Sequence, residues 1–149
     1  MNTSLYSRLA EEGRTTVNPA IPTISVGLGT CGIGNGADAL FNALVDAASG
    51  VPASGIPASG VPGGKAVLVK KAGCFGFCAE EPLLMLYRPG FPVLLFGEAK
   101  AARASKFVQA AIDEKAYTKL ARQARAKISH WDFRTSTIDF GDAFPDIPE

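Results

Sequence analysis

Several features that mark common protein classes are scarce in this 149-residue sequence. It has three cysteines, and an odd number of thiols argues against the disulfide framework of a secreted protein. No apolar run approaches the ~18 residues needed to cross a bilayer, and the first residues lack the basic-then-apolar plan of a signal peptide. Lys and Arg number 15 against 14 Asp and Glu, without the positive excess of a nucleic-acid-binding protein. We therefore expect a cytoplasmic protein whose partner is a small molecule or another protein.

The size and composition favour one compact domain with tails. With 47% hydrophobic residues, a chain of this length can build one core and is too short for two ordinary domains. We expect residues 1–22 to form an N-terminal helix and a linker, 23–128 the folded domain, and 129–149 a connector to a following domain. Residues 50–64 repeat a unit rich in Pro, Gly and Ser, which is typical of an inserted surface loop without chemistry.

Hydrophobic periodicity predicts the elements of the domain. The N-terminal helix should end near Gly13, and the domain should then contain a strand at 23–28, a helix at 35–48, a strand at 65–70, strands at 83–87 and 93–96, and helices at 99–112 and 117–128. A helical crossover makes the first two strands parallel, and a tight turn makes the last two antiparallel. The order therefore indicates an α/β fold, thioredoxin-like in outline, with a four-stranded mixed sheet and flanking helices.

All three cysteines lie in glycine-rich loops. Cys31 stands in Gly-Leu-Gly-Thr-Cys-Gly-Ile-Gly-Asn-Gly, and Cys74 and Cys78 stand in Ala-Gly-Cys-Phe-Gly-Phe-Cys-Ala-Glu-Glu-Pro. Thiols placed at turns, outside apolar runs, present metal ligands more often than they fill a core. Because both loops follow parallel strands, we expect the three sulfurs to converge at one edge of the sheet. An iron–sulfur cluster is the natural occupant, although a [2Fe–2S] cluster takes four protein ligands.

The two loops resemble those of thioredoxin-like [2Fe–2S] ferredoxins, whose pattern is Cys-x4-Cys on the first loop and Cys-x3-Cys on the second. More narrowly, they are similar to the N-terminal domain of the flavoprotein subunit of NADH dehydrogenase-like complexes, including NAD(P)-linked hydrogenases and formate dehydrogenases. The matching residues are Gly29-Thr-Cys31-Gly-Ile with Gly36-Ala37, and Gly73-Cys74-Phe-Gly-Phe-Cys78 with Glu81-Pro82.

The resemblance implies an electron-transfer domain with Cys31, Cys74 and Cys78 as the iron ligands. The sequence itself contains no pattern typical of a catalytic or nucleotide-binding site. The resemblance places FMN and NAD(P) on a following or partner domain, and it implies that the partners are other subunits of a redox complex. Residues 139–149 look like the connector that leads, in such subunits, into the FMN and NADH domain. We therefore expect this chain to be the leading portion of a longer subunit or its separately encoded equivalent.

The sequence departs from the family pattern at the first ligand position, which holds Val26. Three alternatives stay open. A cluster could be completed by an exogenous ligand or a non-cysteine side chain, for which the candidates are Ser25, Asn35, Asp38 and His130. The cluster could instead be lost and the domain kept for docking neighbouring subunits. In the third alternative, Cys74 and Cys78 form a redox-active thiol pair, although thiol oxidoreductases use a shorter spacing. The acidic pair before Pro82 is expected to be a solvated turn.

Overall fold

A computed structural model describes residues 3–17, 19–51, 66–128, 130–132 and 137–139. The helices are α1 (Thr3–Val17), α2 (Thr30–Gly34), α3 (Ala37–Ser49), α4 (Ala104–Ile112) and α5 (Glu114–Ala121), with 3-10 turns at Cys78–Glu80 and Ala101–Arg103. The strands are β1 (Thr23–Gly27), β2 (Leu68–Ala72), β3 (Leu84–Tyr87), β4 (Val93–Phe96), β5 (Ala126–Ile128), β6 (His130–Asp132) and β7 (Thr137–Asp139). The predicted inserted loop at 50–64 lies almost wholly outside the described residues, as does most of the predicted connector at 129–149.

The main sheet has five strands, in the order β2-β1-β3-β4-β5, and not the predicted four. β1 and β2 are parallel, with Thr23 opposite Leu68 and Gly27 opposite Ala72. The remaining neighbours are antiparallel, and they include the predicted hairpin of β3 and β4. Strands β6 and β7 pair with each other in a separate two-stranded sheet.

The fifth strand corrects the predicted helix over 117–128. Helix α5 ends at Ala121, and the segment that follows turns to pair with β4. The Arg125 N–H donates a hydrogen bond of 2.8 Å to the Leu95 carbonyl, and the next residue, Ala126, is buried. An open β4 would leave a row of backbone groups without partners, which a pairing strand satisfies.

Other boundaries also differ from the prediction: the second strand spans Leu68–Ala72 and not 65–70, and the helix predicted from residue 99 begins at Ala104. Helix α1 continues past Gly13 to Val17, because a single glycine inside a helix costs only about 1 kcal/mol. The predicted linker at 14–22 is therefore helical in its first part. Residues 30–34, predicted as a turn, form the short helix α2.

The core lies between the sheet and the helices α3 and α4. Its fully buried members include Ile24 and Val26 from β1, Leu40 from α3, and Phe107 from α4. Burial of each such side chain contributes about 1.5–3 kcal/mol. A second, smaller cluster contains Leu83, Leu95 and Ala126, with Phe75 and Met85 packed against it.

Within the described ranges, no helix is long and apolar enough to span a membrane.

Candidate metal centre

The two cysteine loops leave the sheet at the same edge. β1 ends at Gly27 and its loop leads into α2, which carries Cys31, whereas β2 ends at Ala72 and its loop carries Cys74. Because β1 and β2 are parallel neighbours, their carboxyl ends lie side by side. The loops touch, since a Cβ built on Gly29 would lie only 3.1 Å from the Cβ of Cys74. The Cys74 loop then runs to Cys78, and all three thiols are exposed and free.

Cys74 and Cys78 form the tightest pair. Their sulfurs are 3.7 Å apart, and the Gly76 N–H donates to the Cys74 sulfur at 3.3 Å. The turn that directs this N–H towards the sulfur has a positive φ of +89° at Gly76. Glycine adopts such a φ without steric cost. A tetrahedral centre with metal–thiolate bonds of about 2.3 Å separates two of its sulfurs by about 3.8 Å. The spacing of this pair therefore suits two ligands of one metal ion.

Cys31 joins the pair through Cys78. The side-chain hydrogen bond with Cys31, and then that with Cys74, raise the pKa of Cys78 from 9.0 to about 11. The negative charges of these two neighbours as thiolates act in the same direction, since a third negative charge beside them is disfavoured. The structure thus brings together all three cysteines that the sequence singled out.

The three thiols would supply three of the four protein ligands that a [2Fe–2S] cluster takes. Across the part of the chain that the structure describes, no group of three or more His, Cys, Asp or Glu side chains is arranged to hold one metal ion. In a [2Fe–2S] cluster each iron takes two of the four protein ligands, so three ligands around one point are not required. Cys74 and Cys78 can serve one iron and Cys31 the other. The donor chemistry fits such a cluster, and one ligand remains to be supplied.

The structure describes the side chains of three of the four fourth-ligand candidates from the sequence, namely Asn35, Asp38 and Ser25. The Asn35 side-chain amide donates to the Cys31 carbonyl at 2.8 Å and so caps the end of α2. Asp38 lies exposed in the first turn of α3. Ser25 is half-buried within β1, opposite Lys70 and Met85 in the neighbouring strands. The side chain of His130 lies outside the described residues.

Val26, at the position of the expected first ligand, is completely buried in the main core. Successive side chains of a strand alternate between faces, so Gly27 faces the other side of the sheet. A Cβ built on Gly27 would meet the Phe75 ring at 3.2 Å and a carboxylate oxygen of Glu81 at 3.5 Å. Glycine at position 27 therefore leaves room for Phe75 and Glu81 at the end of β1.

Sequence reasoning did not predict that Glu81 is buried. The expected solvated turn holds instead a carboxylate that is only 7% exposed. Its Oε2 accepts a hydrogen bond of 2.7 Å from the Leu83 N–H, whereas its buried Oε1 accepts none from the described residues. A glutamate placed directly before a proline and a strand was the only available signal, and it does not reveal burial.

Glu80 behaves differently and holds the turn that carries Cys78. Both of its carboxylate oxygens accept from the Arg125 guanidinium at 2.7–2.9 Å. Its carbonyl accepts from the Glu98 N–H at 2.7 Å. These bonds attach the 3-10 turn to the residue before β5 and to the segment that follows β4.

No protein-family model matches the sequence, and no characterised relative matches it either. Among solved structures, a thioredoxin-like [2Fe–2S] ferredoxin from Aquifex aeolicus is similar, with a TM-score of 0.53 and 14% sequence identity. The match covers 72% of this chain and 92% of the ferredoxin. This chain has a thioredoxin-like fold. The expected fold class is thereby confirmed in outline, with the strand count corrected to five.

Proposed function

We propose that this chain is an electron-transfer domain that holds a [2Fe–2S] cluster on Cys31, Cys74 and Cys78. The observation that carries the proposal is the placement of three exposed thiols on the loops that follow two parallel strands, with the Cys74 and Cys78 sulfurs 3.7 Å apart and Gly29, two residues before Cys31, against Cys74. The likeness of the fold to a [2Fe–2S] ferredoxin supports it. Such a cluster, when bound, accepts and returns one electron at a time.

The surrounding residues hold the thiolates and leave them accessible. The Gly76 N–H, 3.3 Å from the Cys74 sulfur, stabilises negative charge there, and hydrogen bonds of this kind tune the potential of iron–sulfur centres. Phe75 packs against the smaller core cluster and so anchors the loop between the two cysteines. The three thiols are exposed, so a redox centre on another chain can approach this edge of the sheet.

We place the domain in a cytoplasmic, NAD(P)H-linked complex of several subunits that contain flavin and iron–sulfur centres. FMN and NAD(P) would be held by a following or partner domain, and this chain would exchange single electrons with a flavin or iron–sulfur centre there. The support for this context is the resemblance of both cysteine loops to the N-terminal domain of such flavoprotein subunits.

A second function is favoured by one observation, the burial of Val26 at the expected first ligand position. Without a fourth ligand, the domain would lack the cluster and would hold neighbouring subunits together. The cysteines would then be ordinary thiols, and the raised pKa of Cys78 would keep it protonated at neutral pH.

Metal analysis of the protein, purified without oxygen and reconstituted with iron and sulfide, separates the two functions. A cluster domain is brown and contains about two iron atoms and about two sulfides per chain. Cys74→Ala should lose most of both, whereas Ser49→Ala, whose hydroxyl bonds the Val45 carbonyl on α3, should keep them. Colourless wild-type protein without iron would contradict the electron-transfer proposal and favour docking.

A further inference from the structure

Cys74 and Cys78 lie on one short loop, and their sulfurs are in contact. The two sulfurs are 3.7 Å apart, and both thiols are free and exposed. The S–S bond of a disulfide is about 2.05 Å long, so a relative shift of less than ~2 Å would join the two sulfurs. Because the fold already holds them together, closing the bond requires little further ordering. The pair is therefore close to the arrangement of a disulfide.

The loop has room for this shift. A Cβ built on Gly73 or on Gly76 meets nothing within 4 Å, so there is open space beside the loop before and after Cys74. Cys78 begins the 3-10 turn that the ion pair of Glu80 holds in place. We therefore expect the Cys74 side of the loop to move when the sulfurs join.

The exposure of both thiols also fixes the class of reagent that can reach them. A small-molecule disulfide such as oxidised glutathione exchanges with accessible thiols through a mixed disulfide. Exposed disulfides are the labile and regulatory ones, and disulfides of cytosolic proteins are usually transient and redox-sensing. An exposed pair in contact suits a reversible bond better than a structural one.

We propose that Cys74 and Cys78 of the cluster-free chain form a reversible disulfide by exchange with a small-molecule disulfide. In the first step, the thiolate of one cysteine attacks the small disulfide, a mixed disulfide forms, and one small thiol leaves. The second cysteine then gives its proton to solvent and attacks the mixed disulfide, so that the Cys74–Cys78 bond forms and the second small thiol leaves. The two cysteines lose two electrons and two protons, which reduce the small disulfide to two thiols.

The disulfide and the cluster are alternative states of the same sulfurs. Metals bind cysteine as the thiolate, so sulfurs joined to each other no longer serve as iron ligands. The oxidised chain would keep Cys31 alone among the three proposed ligands. The disulfide itself goes beyond the proposed function, whereas its competition with the cluster rests on that function.

The test incubates the reduced, iron-free chain with oxidised glutathione in the absence of oxygen. Free thiols are then blocked with iodoacetamide, and the chain is cut with trypsin. The cleavage separates the cysteines, because the fragment 72–100 carries Cys74 and Cys78 and the fragment 15–65 carries Cys31. Mass spectrometry should find the fragment 72–100 lighter by two hydrogen atoms and not linked to 15–65, and dithiothreitol should reverse the change.

Two variants serve as controls. Cys78→Ser should lose the internal disulfide and carry glutathione on Cys74, since the second step has no attacking sulfur. Cys31→Ser keeps both cysteines of the loop and should match the wild type. A fragment 72–100 that stays fully alkylated, or one joined to 15–65 through Cys31, would overturn the inference.

Cluster-loaded protein distinguishes this inference from the function on which the competition rests. It should form the disulfide at least about tenfold more slowly than the iron-free chain, because its thiolates are bound to metal, and it should release iron as the disulfide forms. Equal rates, or disulfide formation without loss of iron, would refute the competition. Wild-type protein that never binds iron would contradict the proposed function and the competition, while the masses of the fragments still decide on the disulfide.

Discussion

Gly32 lets α2 approach the end of β1 and thereby places Cys31 at the other two thiols. An added Cβ would overlap the carbonyl oxygen of Gly27. That oxygen belongs to a strand end that cannot move freely, because the Gly27 N–H is bonded to the Leu83 carbonyl at 3.0 Å. We therefore expect Gly32→Ala to push α2 and Cys31 away from the sheet.

The matched control is Gly34→Ala in the same helix. A Cβ at Gly34 meets nothing within 4 Å, and alanine in place of glycine stabilises a helix by about 0.5–1 kcal/mol. Forcing an extra carbon into a packed site, as at Gly32, costs about 1–3 kcal/mol or more. The two alanine variants should therefore differ by about 1.5–4 kcal/mol in the free energy of unfolding.

Urea unfolding of the iron-free chain, followed by far-UV circular dichroism, measures this difference. In Gly32→Ala the pKa of Cys78 should also fall towards 9.0, because the hydrogen bond with Cys31 is its largest cause. Equal stability of the Gly32 and Gly34 variants, with an unchanged Cys78 titration, would refute the close approach of α2 to β1.

Two further predictions concern the core and the thiols. Phe107→Ala should lower the free energy of unfolding by about 3–5 kcal/mol, because the ring is fully buried and packs edge-on against Phe96 with centroids 5.2 Å apart. A loss below about 1 kcal/mol in urea unfolding would contradict this packing. In the iron-free chain, the pH dependence of Cys78 alkylation should have its midpoint near pH 11 and not 9.0, since a raised pKa keeps the thiol protonated to higher pH. Cys31→Ala should lower that midpoint. Mass spectrometry of alkylation rates measures it, and identical midpoints in both proteins would count against the Cys31–Cys78 contact.

The parallel pair and the hairpin could be predicted from the sequence because their connections are local. A helix between β1 and β2 fixes them as parallel, and the Pro89-Gly90 turn joins β3 to β4, with Gly90 at a φ of +80°. These two rules are also enough to predict that the cysteine loops meet, since parallel neighbours end at the same edge. The convergence of Cys31 with Cys74 and Cys78 follows from topology.

The fifth strand could not be predicted in this way. Residues 114–128 are rich in Ala, Lys and Arg, which favour helix, and their local sequence contains little that marks a strand. What makes Ala126–Ile128 a strand is the open edge of β4 beside it. Pairing across that edge is a tertiary effect that intrinsic propensity does not contain.

The burial of Glu81 shows the same limit at the candidate site. Counting along the chain selects Val26, yet the alternation of side chains in β1 turns that residue into the core and leaves position 27 facing the site. Glu81 is distant in sequence from that position, and only the pairing of β1 with β3 brings the two segments together. A buried carboxylate at this place depends on the register of the sheet.

The central claim is that three converging thiols hold a binuclear iron–sulfur centre that transfers single electrons. The most direct test is a quantitative EPR measurement on the anaerobically reconstituted wild-type chain before and after reduction with dithionite. Our account predicts no signal from the oxidised protein and, after reduction, about one unpaired electron for every two iron atoms, with the signal lost in Cys78→Ala. Protein that binds no iron, or that binds iron without this signal on reduction, would contradict it.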